Sequence, residues 1–366
     1  MDRQNLSSET ELLTRDAFRE GCFARDGHCC VICGQPAVGA HHFIERRLWT
    51  DPGEEGGYFL ANGSSVCERH HRAAEQTLVS PEELRRAAGI KHVMVPSHLY
   101  DDGIEAGSLL TKWGDLVLSD GRRSPGELFW DESVQRVLAE GRVLQLYTSR
   151  YRYPRTYHVP FSTGRTKDDR VLRDLSAFAG RRIIVTRKLD GENTTILSDG
   201  NSYARSPDGS PHPSQSRVRA MAATVGPLLD RGWRLCGENL VAKHSIHYRA
   251  LSAYFFVISI WNSRNECQSW DDTVLYANLL SRESGLRLPT VPVLYDGIFN
   301  ESILRGLHRP TDENGDEAEG WVMRVADAFA YRDFGKSVAK MVRAGHVVEH
   351  AQHWRRGPII ENELRK

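Results

Sequence analysis

Two groups of residues in this sequence have types and spacings that chemistry can use. The first is Lys188-Leu189-Asp190-Gly191, where an amine ends an apolar run and is followed by a carboxylate and a glycine that lets the backbone turn tightly. A lysine becomes a nucleophile when burial or nearby cations make its amine neutral, and the neutral amine can attack an electrophile such as the α-phosphorus of ATP. By itself the string also fits a surface turn after a strand. Four further signals follow it in order. Cys236-Gly237-Glu238-Asn239-Leu240 closes a strand with an acid suited to a ribose hydroxyl, and Tyr254 to Trp261 supplies rings for a purine face. Glu319-Gly320-Trp321-Val322-Met323-Arg324 starts a strand with a carboxylate suited to a metal or its water, and Lys336, Lys340 and Arg343 offer cations for a triphosphate.

The second group lies near the N-terminus. Cys30-x2-Cys33 and Cys67-x2-His70 are two ligand pairs on tight knuckles, the spacing of a tetrahedral zinc site. His41-His42, Asn62 and His71 are interleaved with them. The chain has seven cysteines, an odd count, and Cys22, Cys29, Cys30 and Cys33 crowd into one stretch. That pattern suits metal binding in reducing surroundings better than a disulfide framework.

The elements that must position these groups divide the chain into three expected parts. Residues 1–90 read as a small zinc-stapled module, closing with a helix over Pro81 to Ala88 that Ser80 caps and Gly89 ends. Residues 91–149 read as an irregular connector with turns at Asp101-Asp102-Gly103 and Ser119-Asp120-Gly121. Residues 150–366 have the texture of an α+β enzyme with mostly antiparallel strands. Strands are expected over Arg182 to Thr186 and Ser252 to Trp261, and helices at Asp169 to Phe178, Gln215 to Leu229 and Trp270 to Ser281.

Charge narrows the partner. The 366 residues carry 48 basic and 48 acidic side chains, so no global field draws in a polyanion and any nucleic-acid surface must be local. The segment from Arg150 to Lys188 supplies one, with Arg152, Arg155, Arg165, Lys167, Arg170 and Arg173 among its cations against Asp168, Asp169 and Asp174. No apolar run approaches eighteen residues, and Met1-Asp2-Arg3-Gln4-Asn5 is polar, so neither a membrane span nor a secretory signal is expected. The cytoplasm is the expected compartment.

From about Arg150 to His353 the motifs together resemble the covalent nucleotidyltransferase superfamily of polynucleotide ligases and capping enzymes, and most closely its ATP-dependent RNA ligases. The resemblance implies that Lys188 is the adenylated nucleophile, with Glu238, Phe256, Glu319, Lys336 and Lys340 around ATP and Mg²⁺ or Mn²⁺. Glu319 would hold the metal. Arg205, in Tyr203-Ala204-Arg205-Ser206, would meet the acceptor phosphate, with Arg155 in a second similar segment. The choice between Phe255 and Phe256 depends on strand register. Two features depart from the pattern: Arg187 stands where these ligases often have a glutamate, and only a short tail follows Arg343, so no C-terminal OB domain is expected. Arg187 is also a cation positioned to depress the pKa of Lys188.

Residues Phe23 to Gln76 resemble the HNH, or ββα-metal, nuclease motif. That resemblance implies structural zinc on Cys30, Cys33, Cys67 and His70, and a catalytic divalent ion on His41 and His71. His42 would be the general base and Asn62 would orient it. The expected function is therefore an RNA repair ligase, acting on nucleic acid and more on RNA than DNA, with a module that cleaves or holds the strand. The alternatives are an HNH endonuclease, in defence or end processing, with an accessory nucleotidyltransferase domain, or a nucleic-acid-binding sensor without turnover.

Overall fold

A computed structural model of the chain describes residues 10–91, 94–99, 109–166, 169–207, 209, 212–307, 309–311, 315–344 and 358–365. The start Met1 to Asn5, the turn Asp101-Asp102-Gly103, and Lys167 and Asp168 lie outside them. The chain forms two compact units, Met1–Tyr151 and Arg152–Lys366. The described residues of the expected connector belong to the first.

In the first unit, helix Arg15–Arg25 starts at Thr14, whose hydroxyl accepts from Ala17 N. Strands β1 (Gly39–His42) and β2 (Gly63–Val66) then pair antiparallel, with His41 opposite Ser64 and His42 opposite Gly63. Helix Glu68–Glu75 follows directly, so the expected ββα order is present. Helix Pro81–Ala87 carries the capping box that Ser80 and Glu83 encode. Beyond it the chain is more regular than a connector. Strands β3 (Leu116–Val117) and β4 (Arg123–Ser124) form a hairpin, and helix Glu132–Glu140 begins at its cap Asp131. Val134 and Leu138, four apart on that helix, are buried with Trp113, Phe129 and Val143. This i,i+4 pair was too short a signal to stand out among the Gly and Asp turns.

The second unit is built on two sheets. A five-stranded sheet runs in the order β12-β6-β13-β15-β5 and a six-stranded sheet in the order β14-β11-β10-β9-β7-β8. In chain order the strands are β5 (Tyr157–His158), β6 (Arg182–Lys188), β7 (Glu192–Leu197), β8 (Ser202–Ala204) and β9 (Arg234–Asn239). They continue with β10 (Phe255–Trp261), β11 (Glu266–Cys267), β12 (Val293–Ile298), β13 (Gly320–Val325), β14 (Phe329–Ala330) and β15 (Val338–Val342). Every pairing is antiparallel except β15 with β5.

Period-two alternation sorts the side chains onto faces. On β6, Ile183 and Val185 pack with Trp321, Met323, Phe178 and Leu304, while Ile184 packs with Leu189, Leu240 and Phe256. On the six-stranded sheet, Ile196, Leu235 and Phe255 pack against Val218 and Ala222 of helix Ser216–Val225 and Ala277 and Leu280 of helix Trp270–Ser284. Each fully buried Leu, Ile or Phe side chain contributes about 1.5–3 kcal/mol, so these clusters fix the register that the site depends on.

The helix expected over Asp169 to Phe178 is not formed apart from a single 3-10 turn at Ser176–Phe178. Its backbone is committed elsewhere: Leu172 N donates to His158 O at 2.8 Å and His158 N to Arg170 O at 2.7 Å. Asp174 also accepts from Ser176 N, a local bond that competes with a helical ladder. Among the described residues, no helix is long and apolar enough to cross a membrane.

Candidate active site and metal centre

Lys188 ends β6 opposite Gly320, which brings its amine beside Glu319. Nζ donates to Glu319 Oε2 at 2.6 Å, with the lysine half-buried and the glutamate buried. Strand alternation puts Lys188 on the face of Ile184 and Thr186, and puts Arg187, opposite Trp321, on the other face. Arg187 therefore does not play the pKa-lowering part expected of it. Burial does disfavour the Lys188 ammonium, but the charges of Glu319, Glu238 and Asp190 outweigh it and hold the pKa above the ordinary lysine value. The Lys188 amine is therefore protonated at neutral pH.

Glu238 sits on β9 with Oε1 accepting from Gly191 N at 3.1 Å. Burial pushes its carboxyl up to about 8 against the pull of Lys188, with Glu319 adding to the rise. Gly191 is required here by closeness: a Cβ would fall 2.5 Å from a Leu240 methyl and 2.6 Å from Asn239 O. The register question has an answer, since Phe256 lies directly opposite Glu238 and shares its face, while Phe255 faces the helices.

Lys340 lies on β15 opposite Val322 and shows the depressed lysine pKa, lowered to about 8 by burial first and then by Lys188. Arg205, just beyond β8, adds to that lowering, and its Nε donates to Tyr153 O at 3.3 Å. The structure thus gathers Lys188, Glu238, Glu319, Lys340 and Arg205 around one cluster of charges. Lys336 is exposed on the short helix Phe334–Ser337, and Arg155 is half-buried in the segment leading to β5. Sequence reading missed Asp169 and His158 as part of this cluster. Asp169 Oδ1 lies 3.7 Å from Lys340 Nζ and 3.3 Å from His158 Nε2, and the parallel pairing of β5 with β15 that brings them there has no local sequence signal.

In the first unit, the ligand atoms of Cys30, Cys33, Cys67 and His70 all lie within 4.8 Å of one another. His70 Nδ1 is 3.4 Å from both Cys30 Sγ and Cys67 Sγ. Burial raises the Cys30 thiol, but backbone N–H groups of Cys67, Cys33 and Ile32 overcome it and bring the pKa down to about 6. Three sulfurs and one imidazole at these distances fit zinc.

A second cluster joins His41 and His71 to Glu75, a residue the sequence reading missed although it lies one helical turn after His71. Glu75 Oε1 is 3.5 Å from His41 Nδ1 and 3.7 Å from His71 Nε2, and it also accepts from Lys112. A cavity of about 420 Å³ opens here, lined by His41, His42, His71, Glu75, Arg46 and Lys112. His42 stacks on Phe18 with ring centroids 4.4 Å apart, and its Nε2 is buried without a hydrogen-bond partner among the described residues. Burial, then Lys112, lowers the His42 pKa to about 3, so the imidazole is neutral at physiological pH. Asn62 is buried and makes its side-chain bonds to backbone: Oδ1 accepts from Ile44 N at 3.0 Å and Nδ2 donates to Gly57 O at 2.9 Å. Its contact with the expected base is indirect, through the chain that follows β1.

Residues 181–342 match the RNA ligase family. Lys188, Arg205, Glu238, Phe256, Glu319, Lys336 and Lys340 all fall inside the match. Among solved structures, the chain is similar to a Naegleria gruberi RNA ligase mutant with ATP and Mn, at 17% identity over 49% of this chain and 54% of that one, TM-score 0.37. The same ligase with PPi is similar at 17% identity over 46% and 51% of the two chains, TM-score 0.35. This chain spans about half the length of those structures. No curated protein matches it.

Proposed function

We propose that this chain is an ATP-dependent RNA ligase that seals 3′-hydroxyl and 5′-phosphate ends through a lysyl-AMP at Lys188. The observation that carries the reading is the Lys188–Glu319 contact at 2.6 Å, held by strand register inside the segment that matches the RNA ligase family. Lys188 Nζ first gives up its proton and then attacks the α-phosphorus of ATP. The N–P bond forms as the bond to the bridging oxygen breaks, and pyrophosphate leaves with the electron pair. A 5′-phosphate oxygen of the strand next attacks the same phosphorus and frees Lys188. The 3′-hydroxyl then attacks the 5′-phosphorus and AMP departs.

In this reading Glu238 binds a ribose hydroxyl and Phe256, on the same sheet face, takes the adenine. Lys340 and Lys336 meet the phosphates, and Arg205 and Arg155 meet those of the strand. Asp190 and Glu319 set carboxylates against the Lys188 ammonium, oxygen donors of the kind a divalent cation takes. Mg²⁺ or Mn²⁺ held by Glu319 would neutralise charge on the phosphates. Incubation with ATP and 5′-phosphorylated, 3′-hydroxyl RNA strands should give joined product. A protein that becomes adenylated but joins no ends, RNA or DNA, would contradict the assignment.

A second activity is favoured in the first unit by the cluster His41, His71 and Glu75 on a cavity that His42 also lines. We infer an HNH-type nuclease centre in which those three hold a divalent ion, His42 accepts the proton of the attacking water, and zinc on the Cys3His set is structural. Strand cleavage in the presence of Mn²⁺ that disappears in His42→Ala, at unchanged zinc content, is the expected result. Absence of cleavage of any nucleic acid by the unsubstituted protein leaves a strand-binding module instead.

A further inference from the structure

The last described residues, 358–365, are laid along the segment that joins β9 to β10. Backbone bonds run the length of the contact. Lys243 N donates to Ile360 O at 2.7 Å, Asn362 N to Val241 O at 3.0 Å, Glu363 N to Tyr248 O at 2.9 Å, and Leu251 N to Glu363 O at 2.9 Å. Asn362, 2% exposed, sits at the centre. Its Oδ1 accepts from Tyr248 N at 2.8 Å, and its Nδ2 donates to Leu240 O at 2.9 Å and Ala242 O at 3.3 Å. Tyr254 Oη donates to its backbone carbonyl at 3.1 Å. Only a primary amide both gives and takes hydrogen bonds in this arrangement, so a buried asparagine is specific here and not merely tolerated.

The segment it grips carries the partners of Asp190. Asp190 N donates to Tyr248 Oη at 2.9 Å, and Asp190 Oδ2 accepts from Ser245 N at 2.7 Å and Ile246 N at 2.8 Å. Asp190 stands two residues after Lys188, and its charge is one of those that set the lysine's pKa. A continuous path therefore runs from Asn362 to the Tyr248 backbone, from the Tyr248 hydroxyl to Asp190, and from Asp190 to the nucleophile. At its other end Asn362 ties down Leu240, two residues beyond Glu238.

We propose that Asn362 is a positioning residue for Lys188, so that the C-terminal strap belongs to the adenylation site. The inference rests on the ligase reading. It acts by geometry: displacing a nucleophile by about an ångström costs on the order of a hundredfold in rate.

The test is single-turnover labelling of the full chain with α-labelled ATP, comparing Asn362→Ala and Asn362→Asp with the unsubstituted protein and with Ile360→Ala, whose side chain is 53% exposed. The expected result is a labelling rate at saturating ATP lower by roughly tenfold or more in both Asn362 variants, the same final fraction of labelled chains, and an unchanged rate in Ile360→Ala. Tyr248→Phe breaks the same path at its next link, so Asn362→Ala should cost less in that background than alone. Labelling at the ordinary rate in the Asn362 variants, a final labelled fraction that falls in step with the rate, or full additivity with Tyr248→Phe would each overturn the proposal. If the unsubstituted protein takes no label, it is the ligase reading that has failed, which is a distinct outcome.

Discussion

In the first unit the candidate metal ligands Cys67 and His70 are three residues apart and Cys30 lies forty from His70, whereas in the second unit Lys188 and Glu319 meet across 131 residues of chain. The first centre is assembled by knuckles that carry their own geometry. The second is assembled by sheet register, with Lys188 opposite Gly320 so that amine and Glu319 carboxylate lie side by side, and two apolar clusters holding the strands. The comparison teaches that a cluster of potential ligands can be written locally, while the Lys188–Glu319 pair is written into the packing of a whole domain.

That contrast can be broken by removing one residue from each side. Cys67→Ser should have the largest effect, because structural zinc contributes about 10–16 kcal/mol of binding free energy to small metal-stapled folds. Metal analysis should find the zinc lost and the first unit's melting transition gone, with labelling of Lys188 retained. Loss of labelling in step with zinc would show that the two units do not stand apart. Glu319→Gln keeps the shape but removes the carboxylate proposed to hold the divalent cation. Its adenylation rate is expected to fall about a hundredfold at saturating ATP, read by quench-flow labelling, with the melting temperature nearly unchanged.

Asn62→Ala leaves Ile44 N and Gly57 O without their partner, which costs about 1–3 kcal/mol. Urea unfolding should show that loss in the first unit alone. The smallest effect is a shift in pH. Glu238 raises the Lys188 pKa, so Glu238→Gln should favour the neutral amine and move the rise of the adenylation rate with pH to lower pH, by about one unit. A midpoint that stays in place or moves upward would mean that Glu238 does not act on the nucleophile.

The sequence carried the ligand types well where the signal was local: Cys30, Cys33, Cys67 and His70 come together as their spacing implied. It carried Lys188 and Glu319 through strands rich in β-branched and aromatic residues, Lys188 ending β6 and Glu319 just preceding β13, whereas Glu238 lies near the end of β9, Arg234–Asn239, which has neither residue type. It failed where tertiary contacts decide. Asp169 reads as part of a helix but serves Lys340, and the strand pairing that places it is parallel and only two residues long. Arg187 reads as a neighbour of the amine but points to the opposite face. Glu75 and Lys112 carry no local sequence signal, and their partnership with His41 is visible only when the helix Glu68–Glu75 is seated against β1.

The account depends most on the covalent role of Lys188. Incubation of the protein with α-labelled ATP and Mg²⁺ or Mn²⁺, followed by denaturing electrophoresis, measures it directly. The account predicts label that survives denaturation, is released by pyrophosphate, and is absent from Lys188→Ala. Label that persists in Lys188→Ala, or an unsubstituted protein that takes none with either metal, would contradict it.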